Sequence, residues 1–237
     1  MSDSIPDSPV ADVGIFAGDI GVFHDEDQIF DFFVAMKERY EHIIYVLGNH
    51  EFYHMEYHAT LIKAEQLAKD LGINVMDICL GTDNLELDGV KFWGSTLWTD
   101  FNNGDWYAKR AVGNGLNDFR VIKSNNRHFS VTECEAINKR TREAINWDAD
   151  VIITHHAPLM VPNPNFPTTD TSYGFYNTGL EDKIAESDVK LMIYGHTHHS
   201  VDFDLNGTRI VANCHGYESR YAEFNNSEYR DDLIIEI

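Results

Sequence analysis

Basic residues are scarce in this 237-residue chain: 18 Lys and Arg stand against 39 Asp and Glu, a formal net charge of −21. Broad nucleic-acid binding draws on many Lys and Arg contacts to phosphate, so nucleic acid is not the expected partner. Cysteine is nearly missing. Cys79, Cys134 and Cys214 are scattered and odd in number, which argues against a disulfide framework and for reduced thiols. No run of about 18 apolar residues is present to cross a bilayer. The opening MSDSIPDSPV lacks the basic start and apolar stretch of a secretory signal, so a cytoplasmic protein without membrane contact is expected.

What is present suits a folded enzyme-sized unit. With 43% hydrophobic and 12% aromatic residues the chain can bury a sizeable core, and no linker, repeat or low-complexity tract divides it. A single α/β domain over residues 1–237 is expected. One local cation excess interrupts the acidic balance, with Lys109, Arg110, Arg120, Lys123 and Arg127 between Asp105 and His128. It either faces an anion or is a solvated mixed-charge surface.

Periodicity predicts strands at Val13–Ala17 and Ile43–Leu47 and helices at Asp27–Tyr40 and Glu56–Leu71. Downstream it predicts a hairpin through Asp88-Gly89, then a Gly/Asn-rich stretch over 101–119, and a helix at Thr132–Trp147. Then follow a strand at Val151–Ile153, a proline-rich loop from Pro158 to Pro167, a short helix at Leu180–Ser187 and a strand at Lys190–Tyr194. A hairpin through Asn206-Gly207 and a closing strand in DDLIIEI complete the chain. Alternating βαβα early and hairpins late favour two sheets packed as a sandwich with helices outside; a single doubly wound sheet is the alternative.

The chemistry gathers where strands end. VGIFA runs into Gly18-Asp19, IIYVL into Gly48-Asn49-His50-Glu51, VII into Thr154-His155-His156, and LMIY into Gly195-His196-Thr197-His198-His199. Ligands of open α/β sheets bind beyond the carboxyl ends of strands, so these loops are expected to share one crevice. Taken singly, each also fits a structural role: a cap for Asp19, a turn for Asn49, a packed polar group for any histidine. Carboxylate, amide and imidazole donors without thiolate suit a divalent Mn, Fe, Co, Ni or Zn ion.

The motifs GDIG, GNHE, THHAP and GHTHH, in this order, closely resemble those of the calcineurin-like metallophosphoesterases. LWTDF, NDFR and NGTRIVANCHGY are similar to a bacterial and phage branch of that family. The resemblance implies a β-sandwich flanked by helices with two metal ions at the strand ends. It implies that Asp19 bridges the ions, that Asn49, His155 and His196 hold one of them, and that His198 holds the other. His50 then resembles the histidine that stabilises the transition state and helps the leaving oxygen depart, while His156 and His199 match no ligand. The implied reaction is hydrolysis of a small phosphomonoester or phosphodiester by a metal-activated hydroxide.

One element of that pattern is missing. The family opens with a strand ending in Asp-x-His, and none of Asp3, Asp7 and Asp12 is followed two places on by histidine. Only 12 residues precede Val13, with prolines at 6 and 9, whereas a strand plus a parallel crossover needs roughly 20, so the first strand is expected to be absent. One tight ion and an incomplete second site follow, with His24, Asp25, Glu26 and His215 as the side chains that would substitute. The alternative is a degenerate relative that binds one metal and phosphate with little turnover. Arg120 and His215 are candidates for substrate contact; Trp93, Trp98, Trp106, Tyr107 and Phe119 either wall a pocket or pack the core. An exposed edge where the first strand would lie makes a homo-oligomer an expectation too.

Overall fold

A computed structural model describes residues 11–164, 167–216 and 226–237. In chain order it contains β1 (Ala11–Phe16), α1 (Glu26–Met36), β2 (Tyr40–Val46), α2 (Tyr57–Leu71), β3 (Asn74–Met76), β4 (Asn84–Leu87) and β5 (Val90–Ser95). Then come α3 (Phe101–Gly104), α4 (Trp106–Gly115), α5 (Asp118–Val121), the small hairpin β6 (Lys123–Ser124) and β7 (Arg127–His128), and α6 (Val131–Ala144). The chain continues through β8 (Val151–Thr154), α7 (Glu181–Glu186), β9 (Leu191–Tyr194), β10 (Val201–Leu205) and β11 (Thr208–Ala212). Strands β1-β2-β3 form one parallel sheet, and β10-β11-β9-β8-β5-β4 form a six-stranded mixed sheet.

Side-chain alternation sets the layers, because successive residues of a strand point to opposite faces. In β2, Ile43 and Tyr45 pack with Ile29, Phe33 and Leu61 of the helices. The intervening Ile44 and Val46 pack with Phe92, Val151, Ile153, Leu191 and Val211 of the larger sheet. That sheet turns Trp93, Ile152, Met192 and Ile210 the other way, toward Ile145 and Ile184. The result is a helix-sheet-sheet-helix sandwich, as expected, rather than a single doubly wound sheet.

Local signals work where they are strong. Asp88-Gly89 and Asn206-Gly207 both sit with φ between 49° and 100°, the left-handed pair that a two-residue hairpin turn requires. Ser130 and Glu133 close a capping box at the start of α6. The Gly/Asn-rich stretch holds the helix α4, because Asp105 caps the Ala108 N–H at 2.8 Å and Ala108 and Val112 bury one face. One expectation fails. The closing segment makes no strand among the described residues: Leu233 and Ile235 pack against the inter-sheet core, so their alternation serves packing without a ladder partner.

Strand β1 is the outer strand of its sheet among the described residues, paired with β2 alone. Asp12 lies exposed on it, while Asp3 and Asp7 lie outside the described residues. Among the described residues no helix is long and apolar enough to cross a membrane.

Candidate metal centre

Strands β1, β2, β8 and β9 end at the same side of the sandwich, and backbone strain marks the residues that follow β1 and β9. Asp19, His196 and His198 have φ of 60°, 66° and 54°, a left-handed conformation that side chains other than glycine adopt only when neighbours enforce it. Here a buried carboxylate does the enforcing for the first loop. Glu51 accepts the N–H groups of Gly48 at 2.7 Å, Ile20 at 2.8 Å and Asp19 at 3.0 Å, and the Tyr45 hydroxyl at 2.6 Å. Every one of these partners donates, so the geometry specifies the ionised form although burial and the nearby Asp19 charge push the pKa of Glu51 up.

The Asp19 carboxylate in turn accepts the His50 N–H at 3.0 Å and lies 3.3 Å from His155 Nε2. His155 Nδ1 donates to the Ala17 carbonyl at 2.7 Å, which fixes the tautomer and aims Nε2 into the centre. Around Nε2 stand Asn49 Oδ1 at 3.0 Å and His196 Nδ1 at 3.2 Å. Ligand atoms of Asp19, His155 and His196 all fall within 4.8 Å of one another, the one such group of three among the described residues. His196 Nε2 is buried without a partner among the described residues. Electron-pair donors converging with so few donated protons suit a divalent cation, and the mix of carboxylate, amide oxygen and imidazole fits one of borderline hardness.

Without a cation the charges organise themselves. Burial would raise the pKa of Asp19, but His155 foremost, with His50, outweighs it and holds the carboxyl well below its ordinary range. Burial opposes charge on His155, yet Asp19 beside it wins and raises its pKa. Burial and the neighbouring imidazoles keep His196 and His156 neutral, with pKa values well below the histidine range.

Other expected site residues are placed as follows. His50 stacks on Tyr53 with ring centroids 4.4 Å apart, and its Nε2 lies 3.9 Å from Asp19 Oδ2. Together with Asn49, His196 and His198 it lines a cleft of about 430 Å³ whose lining also includes Gly115–Asp118, Thr168, Thr169, Thr171, Ser172 and Phe175. His198 lines the cleft and stands outside the converging group of three. Arg120 is exposed and donates to the Asn114 carbonyl, and His215 is exposed with its ring 4.8 Å from Tyr229; neither lines the cleft. His24 and Asp25 are exposed near the start of α1, where Glu26 pairs with Lys63, and none joins the centre. Trp93 and Trp98 are core residues; Trp106 and Tyr107 are exposed on α4, and Phe119 packs against the core.

The family model described as calcineurin-like phosphoesterase matches residues 3–200. The chain belongs to the calcineurin-like phosphoesterase family. Protein L509 of Acanthamoeba polyphaga mimivirus is 29% identical over 248 residues, covering 92% of this chain and 84% of that protein. The crystal structure of phosphopantetheinyl hydrolase from Mycobacterium tuberculosis superposes with a TM-score of 0.66 at 18% identity, covering 86% of this chain and 79% of that one, which shows the shared fold.

Membership in this phosphoesterase family makes the chain a hydrolase that works with divalent metal ions, and the Asp19, His155 and His196 group is a possible site for one. Glycine spacing is part of how the family site is built here. A Cβ on Gly48 would sit 2.5 Å from the Asp19 nitrogen and 2.7 Å from His155 Cε1, with the Asp19 carboxylate closer still. No flexible side-chain end can yield there. Gly48→Ala is therefore expected to lower stability by about 3 kcal/mol through overpacking, read as a fall in melting temperature of the metal-free chain.

Proposed function

We propose that the chain hydrolyses a small phosphomonoester or phosphodiester at the cleft bordered by Asn49, His50, His196 and His198, with a divalent ion held by Asp19, Asn49, His155 and His196. The observation that carries this reading is the convergence of the Asp19, His155 and His196 ligand atoms within 4.8 Å, with His196 also lining the cleft. When bound, a divalent ion there supplies a lowered water pKa and neutralises phosphoryl charge. The residues do the rest. Asp19 and His155 are fixed by Glu51 and the Ala17 carbonyl before any ligand arrives, so no reorganisation is needed. His50, held in place against Tyr53, stands at the cleft edge where it can give a proton or hydrogen bond to a departing oxygen.

The cleft also bears on the substrate. Its described lining carries no Lys or Arg, and Asp118, its one carboxylate, is engaged by Asn49 and Tyr53. Threonine and serine hydroxyls, the Asn117 and Asn163 amides and the Phe175 ring suit an uncharged organic group attached to a single phosphate. A second reading, one tight ion with weak turnover, is favoured by the single converging group of three among the described residues.

Desalted Mn²⁺-loaded protein assayed with bis(4-nitrophenyl) phosphate and 4-nitrophenyl phosphate, alongside metal content by plasma mass spectrometry, separates the two. Hydrolysis that falls roughly 100-fold or more in His50→Ala, with metal content unchanged, supports the enzyme. One ion per chain and no turnover supports the binding reading. The outer position of β1 extends the proposal to a homo-oligomer paired through that edge, which a light-scattering mass equal to one 27.1 kDa chain would remove.

A further inference from the structure

An asparagine offers a metal only one of its two ends. Its carbonyl oxygen can be a ligand and its NH₂ cannot, and a half-turn of the amide exchanges them at little steric cost. Something must therefore fix which end of Asn49 faces His155 and Asp19. The residue that does so comes from far along the chain. Asn49 Nδ2 donates to Asp118 Oδ1 at 2.8 Å, and the same oxygen accepts the Tyr53 hydroxyl at 2.8 Å. Asn49 Nδ2 also lies 3.2 Å from that hydroxyl, and Asn49 Oδ1 is left 3.0 Å from His155 Nε2. Tyr53 is the ring on which His50 stacks.

We propose that Asp118, the first residue of α5, is a positioning residue that aims the Asn49 oxygen into the metal centre and, through Tyr53, seats His50 at the cleft. Asp118 is 2% exposed, so its bonds form where water does not compete well. It acts as an acceptor aimed at one NH₂ and one hydroxyl. The inference rests on the reading of Asn49 as a ligand. Loss of such partners of metal ligands typically weakens metal binding 10–100-fold.

The test measures Mn²⁺ dissociation constants by calorimetry and the melting temperature of the metal-free chain for four variants. Asp118→Ala is expected to weaken Mn²⁺ binding about tenfold or more, whereas Asp118→Asn, which keeps an acceptor oxygen, is expected to stay within roughly threefold of the wild type. Asn49→Asp sets two carboxylates against each other at that contact. Adding Asp118→Asn exchanges donor and acceptor, so the pair Asn49→Asp with Asp118→Asn is expected to bind Mn²⁺ about tenfold more tightly than Asn49→Asp alone. A change that weakens or spares binding in one background and strengthens it in the other is the signature of direct pairing. A role confined to holding α5 in place would lower the melting temperature of Asp118→Ala and leave its Mn²⁺ affinity at the wild-type value. That result, or a paired variant no tighter than Asn49→Asp, overturns the proposal. A wild-type chain that binds no Mn²⁺ overturns the metal reading and this inference together, while a wild type that binds with an unmoved Asp118→Ala overturns the inference alone.

Discussion

Asp19→Asn is expected to lower Mn²⁺ affinity by at least roughly 100-fold, beyond the usual loss for a residue that only supports a ligand. Asp19 is the sole carboxylate in the converging group, and the remaining donors are neutral when His155 has lost its extra proton. Asparagine keeps an oxygen for the His50 N–H, so the fold survives while the charge is lost. The measurement is thermal unfolding with and without Mn²⁺. A ligand at a hundredfold excess over its Kd adds about 2.7 kcal/mol to the native state. For a chain of this size that is a rise of roughly 5–10 °C, present in the wild type and missing in the variant. The same centre sets the pH dependence. His155 has a raised pKa in the metal-free chain because Asp19 holds its proton, and a cation must displace that proton. Mn²⁺ affinity is therefore expected to climb with pH through a point above the ordinary histidine value of about 6.5. Unchanged Mn²⁺ stabilisation in Asp19→Asn would remove the carboxylate from the ligand set.

How far a sequence reveals such a centre depends on the range of the interaction. The strand-end punctuation was legible because each glycine and the ligand after it are neighbours in the chain, and four loops of one type at four strand ends are hard to explain separately. The layers were legible for the same reason, since the alternation of Ile43, Ile44, Tyr45 and Val46 between two cores is a pattern of adjacent residues. Contacts that span the chain were not. Asp118 reads as an unremarkable acid within NDFR, and its partner Asn49 is 69 residues away. Arg120, two residues further on, drew attention through its charge, yet the helical turn of α5 places it on the exposed side. The DDLIIEI segment shows the converse limit: alternation reports two environments, and a strand needs a ladder partner as well.

Glu51 is the strongest case of a role invisible in sequence, and its removal is the second large effect expected. Glu51→Ala leaves the N–H groups of Asp19, Ile20 and Gly48 and the Tyr45 hydroxyl without their acceptor. A buried donor stripped of its partner costs about 1–3 kcal/mol. Several together rival the whole stability of a typical domain, about 5–15 kcal/mol, so the alanine variant is expected to recover little folded protein. An opposing effect must be weighed, because Glu51 is itself a buried charge near Asp19 and its loss relieves that burden. Glu51→Gln separates the two. It removes the charge and keeps one acceptor oxygen, but its NH₂ faces groups that themselves donate. If acceptors matter more, melting temperatures fall in the order wild type, Gln, Ala, and Mn²⁺ affinity falls with them as the loops after β1 and β2 lose their common anchor. If charge burial matters more, Gln melts above the wild type. The first order is expected, because both carboxylate oxygens are engaged by donors at 3.0 Å or less, a pattern that a single amide oxygen cannot reproduce.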